Sequence, residues 1–582
     1  MNHALGWPHA AAWAKTVRLF CVMVLVVPIA LGLWGMILPA FGVVPGLRAA
    51  GGASVALTLA PWRAVWQWPG LWEALWLAFL SGVGSTLIAF ALSQAIVAAL
   101  QGGRVFGLVM RLLAPMLALP HAAAALGLAF LIAPSGFLAR LLSPWATGWQ
   151  DPPDLLVLQD PWGLALMAGL VAKELPFLLL MTLAALGQPA LRGRVLLAQS
   201  LGYGRTVGWF KTVFPAIYPQ IRLPIYAVLA YAMTSVEMAA ILGPTRPAPL
   251  AVQVVIWMGQ PDLALRMQGA AAALFLLGAV LGALILWHFG ARMVAHWARA
   301  WNFSGVRGLW AEGWLRGGML AVVALGVVGM VVGLLGLTIW SFAGIWRFPD
   351  ALPQTWSLGV WRDVWRGGGG LLSALGTTIL IALGATLVGA ILALAWLGAR
   401  PKVAGTSPVL WLIYLPLIMP QVVFVPGLQT AALALGMQGG VVLVMATHVI
   451  FVFPYVVLSL CGPWQSWDPR LALQAAALGA GRVRIFWSLR LPMLLAALLT
   501  AAAVGFAVSV GQYLPTLLMG AGRVETLTTE AVALAAGGNR RLIGAYALAQ
   551  IIVPVIGFAA AVILPGVIFA NRRGMSRVAI GG

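Results

Sequence analysis

Apolar residues in this chain come in long runs, separated by short polar stretches that are mostly basic. A run of about 20 apolar residues is the length a helix needs to cross the hydrocarbon of a bilayer. Twelve runs approach that length, with cores near 17–40, 73–100, 112–133, 161–187, 223–243, 268–290, 318–342, 370–397, 409–431, 439–461, 493–518 and 541–569. A membrane barrel would instead alternate apolar and polar positions in segments of about 10 residues. Proline and glycine inside the runs do not veto them, because membrane helices tolerate both. The pattern predicts an all-α polytopic membrane protein. Its first run, from Val17 to Phe41, is longer than a signal-peptide core of about 7–15 residues and reads as a retained span behind Lys15 and Arg18.

Composition sharpens this picture. The 582 residues are 62% hydrophobic and 8% charged, with a formal net charge of +21. Nucleic-acid binding is rejected as the reason for that charge, because the cations lie between the spans and not on a separate basic module. With the N-terminus inside, 22 of the 34 Lys and Arg fall on the cytoplasmic side, including Arg400, Lys402, Arg572, Arg573 and Arg577. The excess predicts that both termini are cytoplasmic. Acids favour the other side, as with Asp151, Asp154 and Asp160 in one outer loop. Cys21 and Cys461 fall in spans and form no disulfide framework. The longest interval between spans is about 30 residues, too short for a soluble domain.

The chain is also internally duplicated, as residues 1–300 and 301–582 with six spans each. Leu196-Leu197-Ala198-Gln199-Ser200-Leu201-Gly202 is followed after twelve residues by Pro215, and Leu473-Gln474-Ala475-Ala476-Ala477-Leu478-Gly479 after twelve residues by Pro492. Lys173-Glu174-Leu175-Pro176-Phe177 is echoed by Val452-Phe453-Pro454-Tyr455, and Leu119-Pro120 by Met419-Pro420. The halves join through Arg292–Arg316, where Trp297, Trp301, Trp310 and Trp314 mingle with arginine as at a membrane–water boundary.

The two loops, 190–222 and 464–492, face the same side because six spans separate them. Pro469 to Leu478 is rich in Ala and Leu, which favours helix. Gly479 sits where a helix ends in a left-handed residue. Arg482, Arg484 and Arg490 hold the next stretch at the surface, and Leu491-Pro492 opens the following helix. Ala198, Gly202, Arg205, Lys211 and Phe214-Pro215 repeat the device. Helix, tight corner, short helix and re-entry is the expected course, with small residues at the corner to admit another protein.

This pattern resembles the EAA signature of ABC importer permeases: Glu-Ala-Ala, three residues, Gly, nine residues, Ile, one residue, Leu-Pro. Ala198, Gly202 and Pro215 match it in the first half, and Ala475, Gly479, Leu491 and Pro492 in the second, with Ala476 beside them. Leu196 and Leu473 stand at the acidic position, and Thr212 and Leu489 at the Ile. The resemblance implies the type I permease fold, with each loop a coupling helix seated on an ATPase subunit. The fused form is similar to permeases of iron(III) and thiamine importers. Gln512-Tyr513-Leu514-Pro515-Thr516 and Thr526–Leu534 look most like the YnjC-type group.

None of the four lysines follows a glycine, so the Gly-Lys-Ser/Thr core of a nucleotide-cradling loop is absent. The chain is thus expected to bind no cofactor and to be no enzyme, with ATP and Mg held by a partner ATPase in two copies. The resemblance further implies a periplasmic binding protein, meeting the outer loops around Asp151–Asp160 and Arg523–Arg541, in a bacterial inner membrane.

Ionisable groups within a bilayer are costly and mark candidate sites. Glu174, beside Lys173, and Glu237, His448, Gln512 and Tyr513 are the candidates for a substrate path. The plain alternative is that Lys173 and Glu174 sit near a helix end and satisfy backbone or each other. Glu with aromatic residues would suit an organic cation; metal, vitamin, polyamine and anion all remain open. Six His and two Cys show no metal-ligand spacing, and no catalytic triad is visible. An ion-coupled secondary transporter with parallel repeats is the alternative function; it needs no docking loops.

Overall fold

The computed structural model describes residues 8–43, 57–187, 189–368, 370–399 and 409–570. Arg400, Lys402, Arg572, Arg573 and Arg577 lie outside the described residues. Among those described the chain is helical, and the lone β-bridge joins Ala343 to Trp356. Ten helices are long and apolar enough to span a membrane, and two bent pairs bring the number to as many as 12.

Elements recur at a fixed offset. Helices Arg205–Gly208, Leu250–Met258 and Leu263–Asn302 have counterparts at Arg482–Ile485, Leu527–Ala535 and Arg540–Ile568, each starting 277 residues later. Asp262 caps Leu263–Asn302 through its side chain, and Asn539 does the same for Arg540–Ile568.

Four expected runs are not single straight helices. Pro120 separates Arg104–Ala118 from His121–Ile132, and Pro420 separates Val409–Ile418 from Gln421–Ala434, the latter pair bent by 99°. Proline lacks the N–H the ladder needs and pushes its predecessor out of helical geometry; Leu119 accordingly has ψ 121°. The run near 223–243 breaks at Ser235, where Thr234 turns its hydroxyl back to the Ala230 carbonyl at 2.7 Å. The run near 493–518 bends by 72° at Leu494 and breaks again at Gly511–Tyr513, before helix Leu514–Gly520. Gln512 and Tyr513 therefore lie at an internal break, not at the end of the span.

The leading span of each half packs against a helix of the other half as well as the last span of its own. Helix Pro8–Ala40 lies along Gln421–Ala434 and Leu263–Asn302, while Glu312–Phe342 lies along His121–Ile132 and Arg540–Ile568. Glycines permit both crossings. A methyl group at Gly35 or Gly427 would be driven into the facing backbone carbonyl, and Gly333 sits against the backbone of Gly127 in the same way. Such small-residue contacts hold membrane helices together by close van der Waals approach, where lipid supplies no hydrophobic drive between helices. Leu126, Phe130, Leu337, Trp340, Leu527 and Tyr546 then form one buried core shared by both halves. Away from the elbows, Arg140 reaches from the first half to the carbonyls of Arg347 (2.8 Å) and Asp350 (3.1 Å) in the second.

Candidate functional site: two elbows and a polar centre

Both loops end a helix in the same way. Gly202 has φ +79° and Gly479 φ +83°, the left-handed conformation that costs glycine nothing. Tyr203 N–H donates to the Ala198 carbonyl and Gly202 N–H to Gln199; Ala480 N–H donates to Ala475 and Gly479 N–H to Ala476, at 3.0–3.1 Å. These paired bonds satisfy the carbonyls that a helix end leaves open. The alanines of the motif are thus acceptors in the corner itself.

After the corner the chain forms a single turn of α-helix and then a π turn, Trp209–Val213 in one copy and Phe486–Arg490 in the other. Phe214 N–H bonds back five residues to Trp209, and Leu491 N–H to Phe486. Pro215 and Pro492 follow immediately. A proline cannot donate and collides with the carbonyl four residues back, so the turn before it widens. In the first copy the expected re-entry at a fresh helix start is corrected, since Arg205–Thr234 runs on as one helix through the π turn; in the second the helix ends at Met493 and a new one starts at Leu495, bent by 72°.

The elbows differ in what covers them. Ala198 is buried, and Gly208 packs on its Cβ. The segment joining the halves braces this elbow: Gly204 N–H donates to the Arg307 carbonyl at 2.6 Å, Thr206 N–H to Glu312 Oε1 at 3.0 Å, and Lys211 lies 4.9 Å from the Trp301 ring. The second elbow buries no residue of Arg470–Ala477, and Gly479 has open space about it. Both copies present leucine to solvent at the acidic position of the motif, Leu196 at 67% and Leu473 at 68% exposure.

Deep in the bundle the breaks meet. Gly511 faces Pro120, 3.9 Å from where its Cβ would stand. Lys173 and Glu174 are buried in mid-helix of Leu164–Leu186, not near its end. The Lys173 ammonium donates to the carbonyls of Met116 (3.3 Å), Leu117 (3.2 Å) and Leu119 (2.5 Å), the groups freed by Pro120. Its three donors are thereby used. Glu174 is turned elsewhere, with His121 Nε2 3.7 Å from its Oε1. The His121 ring lies 4.7 Å from that of Tyr231, whose hydroxyl donates to Glu237 Oε1 at 2.7 Å. Tyr231 and Tyr455 are within electrostatic reach of Glu174, and Tyr513 of Glu237. Gln421 Nε2 donates to Gln512 Oε1 at 3.2 Å.

His448 does not join this cluster's hydrogen bonds. It is 1% exposed, and its Nδ1 and Nε2 lie 2.8 Å from Ser509 Oγ and 2.9 Å from Thr516 Oγ1, so neither nitrogen is left for a ligand. His121, Gln421, Tyr231 and Tyr455 were not singled out from the sequence. For the first two a signal existed: each directly follows the proline of an echoed break. Among the described residues no group of three His, Cys, Asp or Glu could hold a metal ion.

No family model matches the chain. It is similar to the inner membrane ABC transporter permease protein YnjC of Escherichia coli K12, at 32% identity over 528 residues, 90% of this chain and 94% of that protein. The molybdenum transport system permease protein ModB of Haemophilus influenzae is 30% identical over 164 residues, 25% of this chain and 70% of the relative. The spermidine/putrescine transport system permease protein PotC of the same organism is 27% identical over 125 residues, 22% of this chain and 48% of the relative. With near full-length similarity to one such protein and a bundle of membrane-spanning helices, the chain belongs to the ABC transporter permeases, multi-pass transport components of the inner membrane.

Proposed function

We propose that this chain is the permease of an ATP-driven importer with both halves in one chain, moving a small solute that a periplasmic binding protein delivers. Residues 1–300 and 301–582 form its two halves, with both termini cytoplasmic. The elbows 190–222 and 464–492 dock two copies of a separate ATPase, which holds the ATP and Mg. The solute passes between the halves, along Glu174, Glu237, Gln512 and Tyr513; His448 supports the wall.

The observation that carries this reading is the pair of matched corners. Gly202 and Gly479 terminate the two helices with the same bonds, the same π turn follows, and exposed leucines flank both. A secondary transporter has no use for two such surfaces. ATP-driven closure of the partner would move the elbows together and rock the halves about the central breaks, the mechanics of alternating access.

The test is coupling. Gly479 has no neighbour within 4 Å, so Gly479→Arg fits sterically while placing a bulky cation at the corner in a left-handed conformation. The variant should insert in the membrane normally, lose ATPase co-purification and abolish ATP-dependent uptake. Unimpaired uptake with bound ATPase would remove the elbows from the mechanism.

A further inference from the structure

We propose that the central cluster is a binding site for a small organic cation bearing N–H donors, and that it excludes oxyanions and bare metal ions. The proposal rests on the permease reading only for the direction in which the ligand travels.

The argument begins with the charges. Glu174 and Glu237 are both more than nine-tenths buried. Among the described residues no donor hydrogen-bonds the Glu174 carboxylate, and its single ion-pair contact is His121 at 3.7 Å. Glu237 receives one hydrogen bond, from Tyr231. A carboxylate offers up to about four acceptor positions, so both retain capacity for a ligand that brings donors. The adjacent cation does not supply the need, because Lys173 spends its donors on the carbonyls of Met116, Leu117 and Leu119.

The walls fit the same ligand. Tyr231 is hydrogen-bonded to Glu237, and its ring lies 4.7 Å from that of His121 beside Glu174. Aromatic faces attract cations most strongly where water is excluded. Gln512, on the opposing break, is polar and buried, and its amide partner Gln421 comes from the re-entering helix of the second half. Contributions from both halves are what a site between rocking bundles requires.

Other ligand classes fail on the same residues. An oxyanion would meet two carboxylates and, among the described residues of the cluster, find no cationic donor but His121. A bare divalent ion needs several convergent ligands, and no such group occurs among the described residues. Hydroxyl and ring groups suit a ligand with both N–H donors and apolar carbon.

The experiment uses the full chain purified in detergent, without its ATPase. Thermal unfolding is followed by tryptophan fluorescence in the presence of putrescine, choline, butane-1,4-diol, succinate or molybdate. Putrescine should raise the melting temperature at millimolar concentration, whereas choline, a cation without an N–H, the diol and the anions should do so much less or not at all. Glu174→Gln and Glu237→Gln should each weaken that response by about tenfold or more, the scale of losing one partner from a buried charge pair, while Glu174→Asp should retain most of it. No stabilisation by putrescine, stabilisation by choline or molybdate instead, or a response equal to the parent's in both Gln variants overturns the proposal. If the Gln variants do not fold, the response of Glu174→Asp and of the parent to putrescine over choline and the anions decides. The permease reading is judged apart: ATPase that docks and drives uptake in a chain indifferent to these cations leaves that reading standing and removes this one. Cation binding in a chain that never associates with an ATPase does the reverse.

Discussion

Replacing Lys173 with methionine isolates the cost of breaking a helix inside a membrane. Methionine has similar reach and no donor, so the Met116, Leu117 and Leu119 carbonyls lose their common partner. Hydrogen bonds from a charged group contribute about 1.5–3 kcal/mol each, and three would sum to roughly 5–9 kcal/mol. Against this, burying an ammonium costs several kcal/mol that methionine does not incur. The balance predicts a net loss of about 3 kcal/mol, roughly a hundredfold in the folding equilibrium. Thermal unfolding in detergent micelles should show Lys173→Met melting well below the parent, with Lys173→Arg in between, since arginine also donates to carbonyls. The double variant Lys173→Met with Glu174→Gln separates two roles. If Lys173 mainly caps carbonyls, the double variant stays as unstable as the single. Recovery in the double variant, or an unchanged melt in Lys173→Met, would refute the capping argument.

Pro492→Ala should let the π turn at Phe486–Arg490 relax to ordinary α-helix, shifting the second elbow by a residue; ATP hydrolysis should persist while uptake falls severalfold, read in proteoliposomes. Gly427→Leu forces a side chain into the crossing with helix Pro8–Ala40 and should cost about 1–3 kcal/mol or displace that helix, visible as new protease sensitivity near the N-terminus. His448→Phe strips the Ser509 and Thr516 hydroxyls of their shared partner and should cost about 2 kcal/mol in thermal unfolding, with the affinity for transported solute unchanged.

The elbows were legible because their chemistry is local. A left-handed corner wants glycine, a widened turn follows from a proline, and both recur at one spacing; what could not be read was the π turn before each proline, or that the helix runs on past Pro215 but bends just after Pro492. The centre was half legible. Glu174 and Glu237 stand out as charges in apolar runs, but Tyr231 and His121 are ordinary in composition and matter only through where the breaks bring them. Two of those breaks carry proline; those at Ser235 and Gly511 do not, and an apolar run there reads as unbroken helix. The exchange of leading spans left no mark, because Gly32, Gly35 and Gly427 look like any glycine in a membrane segment until their partners are known.

That exchange has a consequence for biogenesis. Helix Pro8–Ala40 finds its seat on Gln421–Ala434, so 381 residues (421 less 40) must be made before the partner exists. At about 5–20 residues per second, the ribosome takes roughly 20–80 s to supply it. Until then the glycine face of the first helix lacks its partner, with Leu263–Asn302 of its own half the earlier neighbour, and its Leu19, Phe20, Met23, Val27, Leu31, Trp34 and Ile37 face outward even in the finished protein. A segment apolar enough to sit in hydrocarbon, with a glycine patch held in reserve, can wait there for its late-arriving neighbour.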